Sequence, residues 1–214
     1  MEFSTSSTTL SSTFHQLYYR YTADTGLIEQ YYQELVEYYT APSRYYHTFT
    51  HLNAMLQEMQ RIKDTFQDWD AALFALFYHD VIYNPSRKDN EEQSAVLAQA
   101  RLKAIAYPPE RIAQVEAHIV ATKSHNQSLN LDTNLFTDAD ISILGQNWNH
   151  YHKYMQAIRK EYAIYTDEQY AKGRKEVLHH FLKMTPIFKT TYFRKLYEEK
   201  ANENIKQELL YSIE

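Results

Sequence analysis

The 214-residue chain contains no cysteine. This absence excludes disulfide bonds, metal sites built from thiolates and cysteine nucleophiles. A metal ion held by this chain must therefore be bound by histidine, aspartate or glutamate side chains.

Residues that form turns are also scarce, with three glycines and five prolines. A β-rich fold of this length needs more of them, so their scarcity favours helices. Hydrophobic residues make up 44% of the chain, which is typical of a globular protein rather than a disordered one. The composition therefore predicts an all-α fold.

Long apolar runs and an excess of basic charge are absent as well. No run approaches the length of a membrane span, and the N-terminal "MEFSTSSTTLSSTFHQ" lacks the basic start and apolar centre of a secretory signal. The formal net charge is −5, whereas general binders of nucleic acid or membrane surfaces are basic. We expect a cytoplasmic protein with a frayed polar N-terminus, no membrane contact and no general nucleic-acid binding.

Hydrophobic periodicity predicts about nine helices. Residues 1–24 are expected to form an N-terminal extension with a short helix, and residues 25–214 a single helical domain. Ser43 is a candidate N-cap for the helix that carries "RYYHTFTHLNAMLQEMQRI", and Asp68 or Asp70 for the apolar helix before "HD". The polar stretches "NPSRKD" and "NQSLNLDTN" are predicted loops.

The segment "FYHDVIYN" places His79 and Asp80 side by side at the end of the apolar run "AALFALF". Both groups are costly to bury without a partner. A divalent cation is one such partner, because it takes an imidazole nitrogen and a carboxylate oxygen. The alternative is a pair of helix-end groups hydrogen-bonded to the backbone.

Two further segments supply candidate ligands. In "RYYHTFTHL", His47 and His51 have the spacing that places two side chains on one helix face, with Cβ atoms roughly 6 Å apart. Thr48 follows the first histidine, so the H-E-x-x-H pattern of zinc proteases is not met. In "FTDADISILG", Asp138 suits an N-cap, whereas Asp140 lies beside residues that we expect to be buried. Surface histidines and a simple helix cap remain the alternative interpretations.

The order His, His-Asp, Asp in a helical chain resembles the HD-domain metal-dependent phosphohydrolases, and most closely a bacterial branch of predicted metal-dependent HD-superfamily phosphohydrolases. The resemblance runs from about Arg44 to the C-terminus. It rests on the segments "RYYHTFTHL", "FYHDVIYN", "NEEQSA", "ATKSH", "DADISILG", "IRKEY" and "GRKEVL", in that order. It implies an HD-domain helical bundle.

The resemblance also implies roles for single residues. The metal ligands would be His51, His79, Asp80 and Asp140. The first histidine, His47, would be the general acid, as in the cyclic-nucleotide phosphodiesterases, although their Asn after this residue is Thr48 here. Two histidines and two carboxylates suit Mn²⁺, Fe²⁺, Co²⁺, Ni²⁺ or Zn²⁺ better than Ca²⁺, with Mg²⁺ a further candidate.

Other matched segments supply a base and a phosphate grip. Glu91 of "NEEQSA" would orient the attacking water, although an acid at a helix start is also common for electrostatic reasons. The substrate-binding candidates are basic or aromatic residues, for which solvated ion pairs are the alternative: Arg44, Lys123, His125, Arg159, Tyr162 and Arg174. If a second metal is bound, His125 is the first candidate for its ligand and His118 the next.

The resemblance implies a phosphohydrolase that attacks a phosphoester or phosphoanhydride of a nucleotide or related small molecule with metal-activated water. Two other functions stay open: a non-catalytic HD fold that binds a nucleotide or a partner, and a di-iron HD oxygenase, which needs more histidine ligands. The amphipathic C-terminal stretch from Thr190, with Leu196, Leu209 and Leu210, would pack on its own domain or on a second chain, which leaves a homodimer open.

Overall fold

The computed structural model describes residues 3–211, with side chains from Leu10 to Tyr211, and every regular element in this range is helical. The all-α prediction is confirmed, with ten α-helices in this range against the expected nine or so. They are α1 (Phe3–Tyr18), α2 (Thr25–Tyr39), α3 (Phe49–Arg61), α4 (Trp69–Tyr78), α5 (Asn90–Ala104), α6 (Pro109–Ala121), α7 (Leu131–Asp140), α8 (Trp148–Glu161), α9 (Asp167–Lys183) and α10 (Thr191–Tyr211). Short 3-10 helices span Lys63–Thr65 and Ile141–Gly145. None of the helices in residues 3–211 has both the length and the apolar character needed to cross a bilayer.

Helix α4 is the centre of the fold because it is apolar on all sides. Every residue from Ala71 to Tyr78 is buried, and α1, α3, α5, α6 and α7 all pack against this helix. Asp68 is its N-cap, as predicted, since the Asp68 carboxylate accepts a hydrogen bond from the Ala71 N–H at 2.9 Å. The other candidate cap, Asp70, accepts a hydrogen bond from the Tyr21 hydroxyl at 2.6 Å instead.

The N-terminal stretch shares this core rather than standing apart from it. Helix α1 begins at Phe3, within the segment that we expected to be frayed. The Phe14 ring meets the Phe77 ring edge-on at 5.1 Å, and the Tyr18 hydroxyl lies 2.6 Å from that of Tyr78. From Leu10 onward, the buried face of α1 therefore belongs to the same hydrophobic cluster as α4.

Helix α7 begins inside the predicted loop "NQSLNLDTN", because Asn130 caps it by accepting a hydrogen bond from the Thr133 N–H at 3.1 Å. Asp138 does not cap its own helix. Its carboxylate accepts hydrogen bonds from the backbone N–H groups of Lys189 and Thr190, at 2.9 and 2.7 Å, just before α10 begins. The end of α7, where Asp140 lies, is thus fixed to the start of α10.

The 3-10 helix after α7 is held against the middle of α10. Asn204 donates hydrogen bonds to the carbonyls of Leu144 and Gln146 at 2.8 and 2.7 Å. A Cβ atom placed on Gly145 would lie 2.7 Å from the Tyr197 carbonyl oxygen and 2.8 Å from its Cα. Glycine is therefore required at this close approach of two backbones.

Candidate metal centre

The first histidine segment lies at the start of α3, but not as the pattern predicted. Thr48, rather than Ser43, is the N-cap, and its hydroxyl accepts a hydrogen bond from the Thr50 N–H at 3.2 Å. His51 therefore lies in the first turn of the helix, whereas His47 lies in the loop before it. The two histidines do not share a helix face, although their ring centroids are 6.0 Å apart.

The His-Asp pair ends α4. His79 is only 1% exposed, and its Nδ1 lies 3.0 Å from the Leu76 carbonyl oxygen. A proton on Nδ1 satisfies that carbonyl and leaves Nε2 with a lone pair directed away from the helix. This is the tautomer that a metal-binding histidine needs.

Four side chains from α3, the end of α4 and the end of α7 converge. His51 Nε2 lies 3.3 Å from His79 Nε2 and 3.1 Å from Asp140 Oδ1, and these three residues have ligand atoms that all lie within 4.8 Å of one another. Asp80 Oδ2 lies 2.9 Å from His79 Nε2 and 3.6 Å from His51 Nε2. Ligands about 2.0–2.2 Å from one ion lie about 3 Å from each other, so this donor set fits a divalent transition metal.

The electrostatics of the cluster are those of a site for a cation. Burial opposes a charge on His79, but the carboxylates of Asp80 and Asp140 outweigh it and raise the pKa of His79 to about 9. Burial likewise opposes ionisation of Asp80, yet the neighbouring histidines, His79 first, hold the pKa of this carboxyl well below its usual range. A proton on His79 thus supplies the positive charge that a metal ion would otherwise bring.

His125 adjoins this group, and His118 does not. The Nε2 atom of His125 lies 2.7 Å from Asp140 Oδ2, and burial lowers the pKa of this histidine. His118 is fully buried elsewhere, with Nδ1 2.9 Å from the Thr133 hydroxyl and its ring stacked on Phe136. Of the two candidates for a second metal, only His125 is in a position to contribute.

A buried carboxylate holds the loop that carries His47. Glu161 Oε1 accepts hydrogen bonds from the backbone N–H groups of Tyr45, Tyr46 and His47 at 2.8, 2.8 and 3.0 Å. Glu161 Oε2 lies 2.7 Å from His47 Nδ1. Burial alone would raise the pKa of Glu161, but His47 lowers it. Burial opposes a charge on His47 as well, yet Asp80 and Glu161 raise the pKa of this histidine, so the contact favours an ion pair.

Glu161 is only 5% exposed, although it belongs to the charged segment "IRKEY", in which only Arg159 and Tyr162 were candidates for the site. The spacing along the sequence could have indicated this burial. Glu161 lies three residues after the buried Ile158 and therefore shares the inner face of α8.

A cavity of about 640 Å³ opens beside the candidate metal ligands. The predicted residues that line it include Glu91, Lys123, His125, Tyr162 and Arg174, together with His47, Asp80 and Asp140. Burial is the main cause of the raised pKa of Glu91, and the nearby Asp80 adds to it. Six tyrosines also line this cavity: Tyr46, Tyr83, Tyr154, Tyr162, Tyr165 and Tyr170.

The two basic residues predicted at the cavity both face carboxylates. The Lys123 ammonium donates to the Lys88 carbonyl at 2.6 Å and pairs with Glu92. The guanidinium of the buried Arg174 donates to both oxygens of Glu208, at 2.8 and 3.0 Å, and to the Tyr154 hydroxyl at 2.9 Å. Each lines the cavity, but neither offers an uncompensated positive charge.

The remaining two predicted cations hold loops instead of lining the cavity. The buried Arg44 donates to the carbonyls of His47, Asp80 and Val81 at 3.1, 2.7 and 2.8 Å, which joins the His47 loop to the His-Asp turn. Arg159 pairs with Asp167 and donates to the carbonyls of Tyr162 and Tyr165, which closes the turn between α8 and α9. These two arginines shape the site without facing a ligand in it.

A second cavity of about 540 Å³ reaches the same group. It shares Tyr46, Asp140, Ile143 and Tyr154 with the first cavity, and it is also lined by His51. Its charged residues include Glu58, Arg61 and Lys153. Candidate metal ligands therefore form part of the wall of both cavities.

Comparisons with protein-family models, with curated proteins and with solved structures find no match. The functional interpretation consequently depends on the residues and their geometry.

Proposed function

We propose that the chain is a metal-dependent phosphohydrolase of the HD type, acting on a phosphoester or phosphoanhydride of a nucleotide or related small molecule. The observation that carries this proposal is the convergence of His51 and His79 nitrogens with Asp80 and Asp140 oxygens at the wall of a cavity large enough for such a substrate. The order of these residues in the sequence, which resembles that of the HD phosphohydrolases, adds support.

The four residues would hold Mn²⁺, Fe²⁺, Co²⁺, Ni²⁺ or Zn²⁺, with Mg²⁺ a further candidate. When bound, such an ion lowers the pKa of a coordinated water and polarises a phosphoryl oxygen. His125 is hydrogen-bonded to the second carboxylate oxygen of Asp140 and fixes the orientation of that carboxylate.

Two cavity residues would move protons in this proposal. His47 is oriented through Nδ1 by Glu161, so its Nε2 is the ring nitrogen available to protonate a leaving oxygen. Glu91 lies in the cavity wall with a raised pKa, as a group that accepts a proton from water at neutral pH would.

The test is to purify the protein without chelator, measure its bound metals, and assay a phosphoester panel with Mn²⁺, Co²⁺, Ni²⁺ and Mg²⁺. Asp80→Ala should lose both metal content and phosphate release by at least about tenfold, because it removes one of the proposed ligands. Asp64→Ala is the matched control, since Asp64 is an exposed aspartate in a short 3-10 helix and does not line either cavity. It should retain both properties.

Turnover that persists in Asp80→Ala would contradict the ligand assignment. Wild-type protein with neither metal nor turnover would contradict the proposed function as a whole.

A further inference from the structure

The walls of the larger cavity are unusually aromatic away from the metal ligands. Tyr162 and Tyr165 stack at a centroid distance of 6.0 Å, and the Tyr162 ring lies 6.0 Å from that of Tyr170. The Tyr83 ring lies over His47 at 4.0 Å. Flat aromatic faces bind planar rings by stacking, and they tolerate different ring identities.

The charges along the same walls do not suit a chain of phosphates. Among the side chains of residues 10–211, the lysines and arginines that line this cavity are Lys123 and Arg174, and both are paired with carboxylates. Each additional phosphate of a nucleoside di- or triphosphate brings further negative charge that needs a cationic partner. Glu91 and Glu176 also line the cavity and would repel it.

Binding a second phosphate through Arg174 would be energetically unfavourable, because it would separate Arg174 from Glu208. Its partner Glu208 is only 3% exposed, and removing the arginine from it would leave a buried carboxylate without its main compensation. A single phosphate needs no further cation, because the proposed metal ion at Asp80 and Asp140 offsets its negative charge.

We infer that the site selects phosphomonoesters of a ring-bearing alcohol, in chemical class a nucleoside monophosphate, over nucleoside di- and triphosphates and over a sugar phosphate without a base. This inference deepens the proposed phosphohydrolase function and rests on it. The phosphate lies at the metal ligands, and the base lies among Tyr83, Tyr162, Tyr165 and Tyr170. The volume of about 640 Å³ is in the range of small-molecule sites.

The experiment compares AMP, ADP, ATP and ribose 5-phosphate with the Mn²⁺-loaded full chain. Phosphate release gives kcat/KM for each compound, and calorimetric titration gives Kd where no turnover occurs. The kcat/KM for AMP should be at least about tenfold higher than for each of the other three, and where Kd is measured, the Kd for AMP should be at least about tenfold lower. ADP or ATP equal to AMP would overturn the charge argument, and ribose 5-phosphate equal to AMP would overturn the role of the ring.

These outcomes separate the inference from the proposed function. Turnover of ATP or ribose 5-phosphate in preference to AMP would overturn the inference and leave the phosphohydrolase standing. Tight, selective AMP binding without metal or turnover would support the ligand class and overturn the phosphohydrolase. Absence of binding and turnover for all four compounds would overturn both.

A charge reversal at the cavity wall provides a gain-of-function test. Glu176 is exposed on α9 and lines the cavity, so Glu176→Lys adds a cation there without disturbing the core. The ADP-to-AMP ratio of kcat/KM, or of affinity, should rise at least about fivefold. Glu199→Lys makes the same charge change at an exposed position on α10, away from this cavity, and should leave the ratio unchanged. An unchanged ratio in Glu176→Lys would overturn the inference.

Discussion

Glu161 organises a stretch of backbone that has no regular structure of its own. Its carboxylate receives N–H groups from three successive residues, 45 to 47, and also meets the His47 ring. A carboxylate that accepts several backbone hydrogen bonds in a buried setting stays ionised and rigid. It therefore sets both the position of the His47 loop and the ring nitrogen that His47 presents.

Replacing this carboxylate should affect catalysis as well as stability. Glu161→Gln keeps the shape but removes the charge. Its amide oxygen can still accept the three backbone N–H groups, but its NH2 group then faces His47 Nδ1, where the carboxylate oxygen was an acceptor. We expect kcat to fall at least about tenfold, with KM nearly unchanged, and the free energy of unfolding to fall by about 1–3 kcal/mol. Steady-state kinetics and urea denaturation measure the two effects.

The control for this variant is Glu168→Gln, which removes an exposed acid from the first turn of α9. It should match the wild type in both measurements. A Glu161→Gln protein that is less stable but has wild-type kcat would show that Glu161 only supports the fold.

His118 makes stability depend on pH. Burial is the main cause that lowers its pKa to about 4. Because the unfolded chain takes up the proton near pH 6.5, stability is full above that pH and falls as the pH drops from about 6.5 to about 4. The loss attributable to His118 should be on the order of 3 kcal/mol, the product of this shift and the energy of one pKa unit.

His118→Gln removes the titrating group while keeping a polar side chain beside Thr133. Urea denaturation between pH 7 and pH 4 should show a flatter decline in this variant than in the wild type. His179→Gln, at an exposed position on α9, should decline as steeply as the wild type. Equal slopes in His118→Gln and wild type would show that folding does not shift the pKa of His118.

At the scale of helices, local patterns predicted α4 well and α3 and α7 poorly. The run "AALFALF" and the Asp68 cap define α4 from nearby residues alone. The start of α3 depends on Glu161, which lies 114 residues after His47 and holds residues 45–47 out of the helix. A contact over that distance leaves no trace in the periodicity, so His47 was wrongly placed on the helix face of His51.

Two glycines test how tightly the elements near the site are packed. Gly145→Ala places a Cβ against the Tyr197 backbone, which cannot move aside, so the 3-10 helix after Asp140 must shift. We expect the free energy of unfolding to fall by at least about 1–3 kcal/mol, as in overpacked cores, together with weaker metal binding. Thermal unfolding and metal titration would measure this.

Gly173→Ala is the matched substitution in the interior of α9. A Cβ at Gly173 meets no atom within 4 Å, so alanine should stabilise the helix by up to about 1 kcal/mol. A Gly145→Ala protein as stable as Gly173→Ala would contradict the close backbone packing.

At the scale of the whole molecule, the sequence predicted the residues that converge. It did not predict the residues that support them. The order of His51, His79, Asp80 and Asp140 pointed to one group, and α3, α4 and α7 bring these residues together. The residues that hold this group in place come from helices distant in sequence, and no local sequence pattern indicates them. The partner of Arg174 is Glu208 in α10, and Asp138, expected as a cap of its own helix, holds the residues before α10.

The two cavities that share Asp140 have a consequence for inhibition of the proposed phosphohydrolase. A compound that fills the tyrosine-lined cavity would exclude substrate, but it would not enclose the group of ligands, because the second cavity still reaches His51 and Asp140. A small chelator keeps a route of approach past the exposed Lys153. In the proposed phosphohydrolase, blocking the cavity and removing the proposed ion would then be separate events, and an inhibitor could be washed out to leave the protein either with or without that ion.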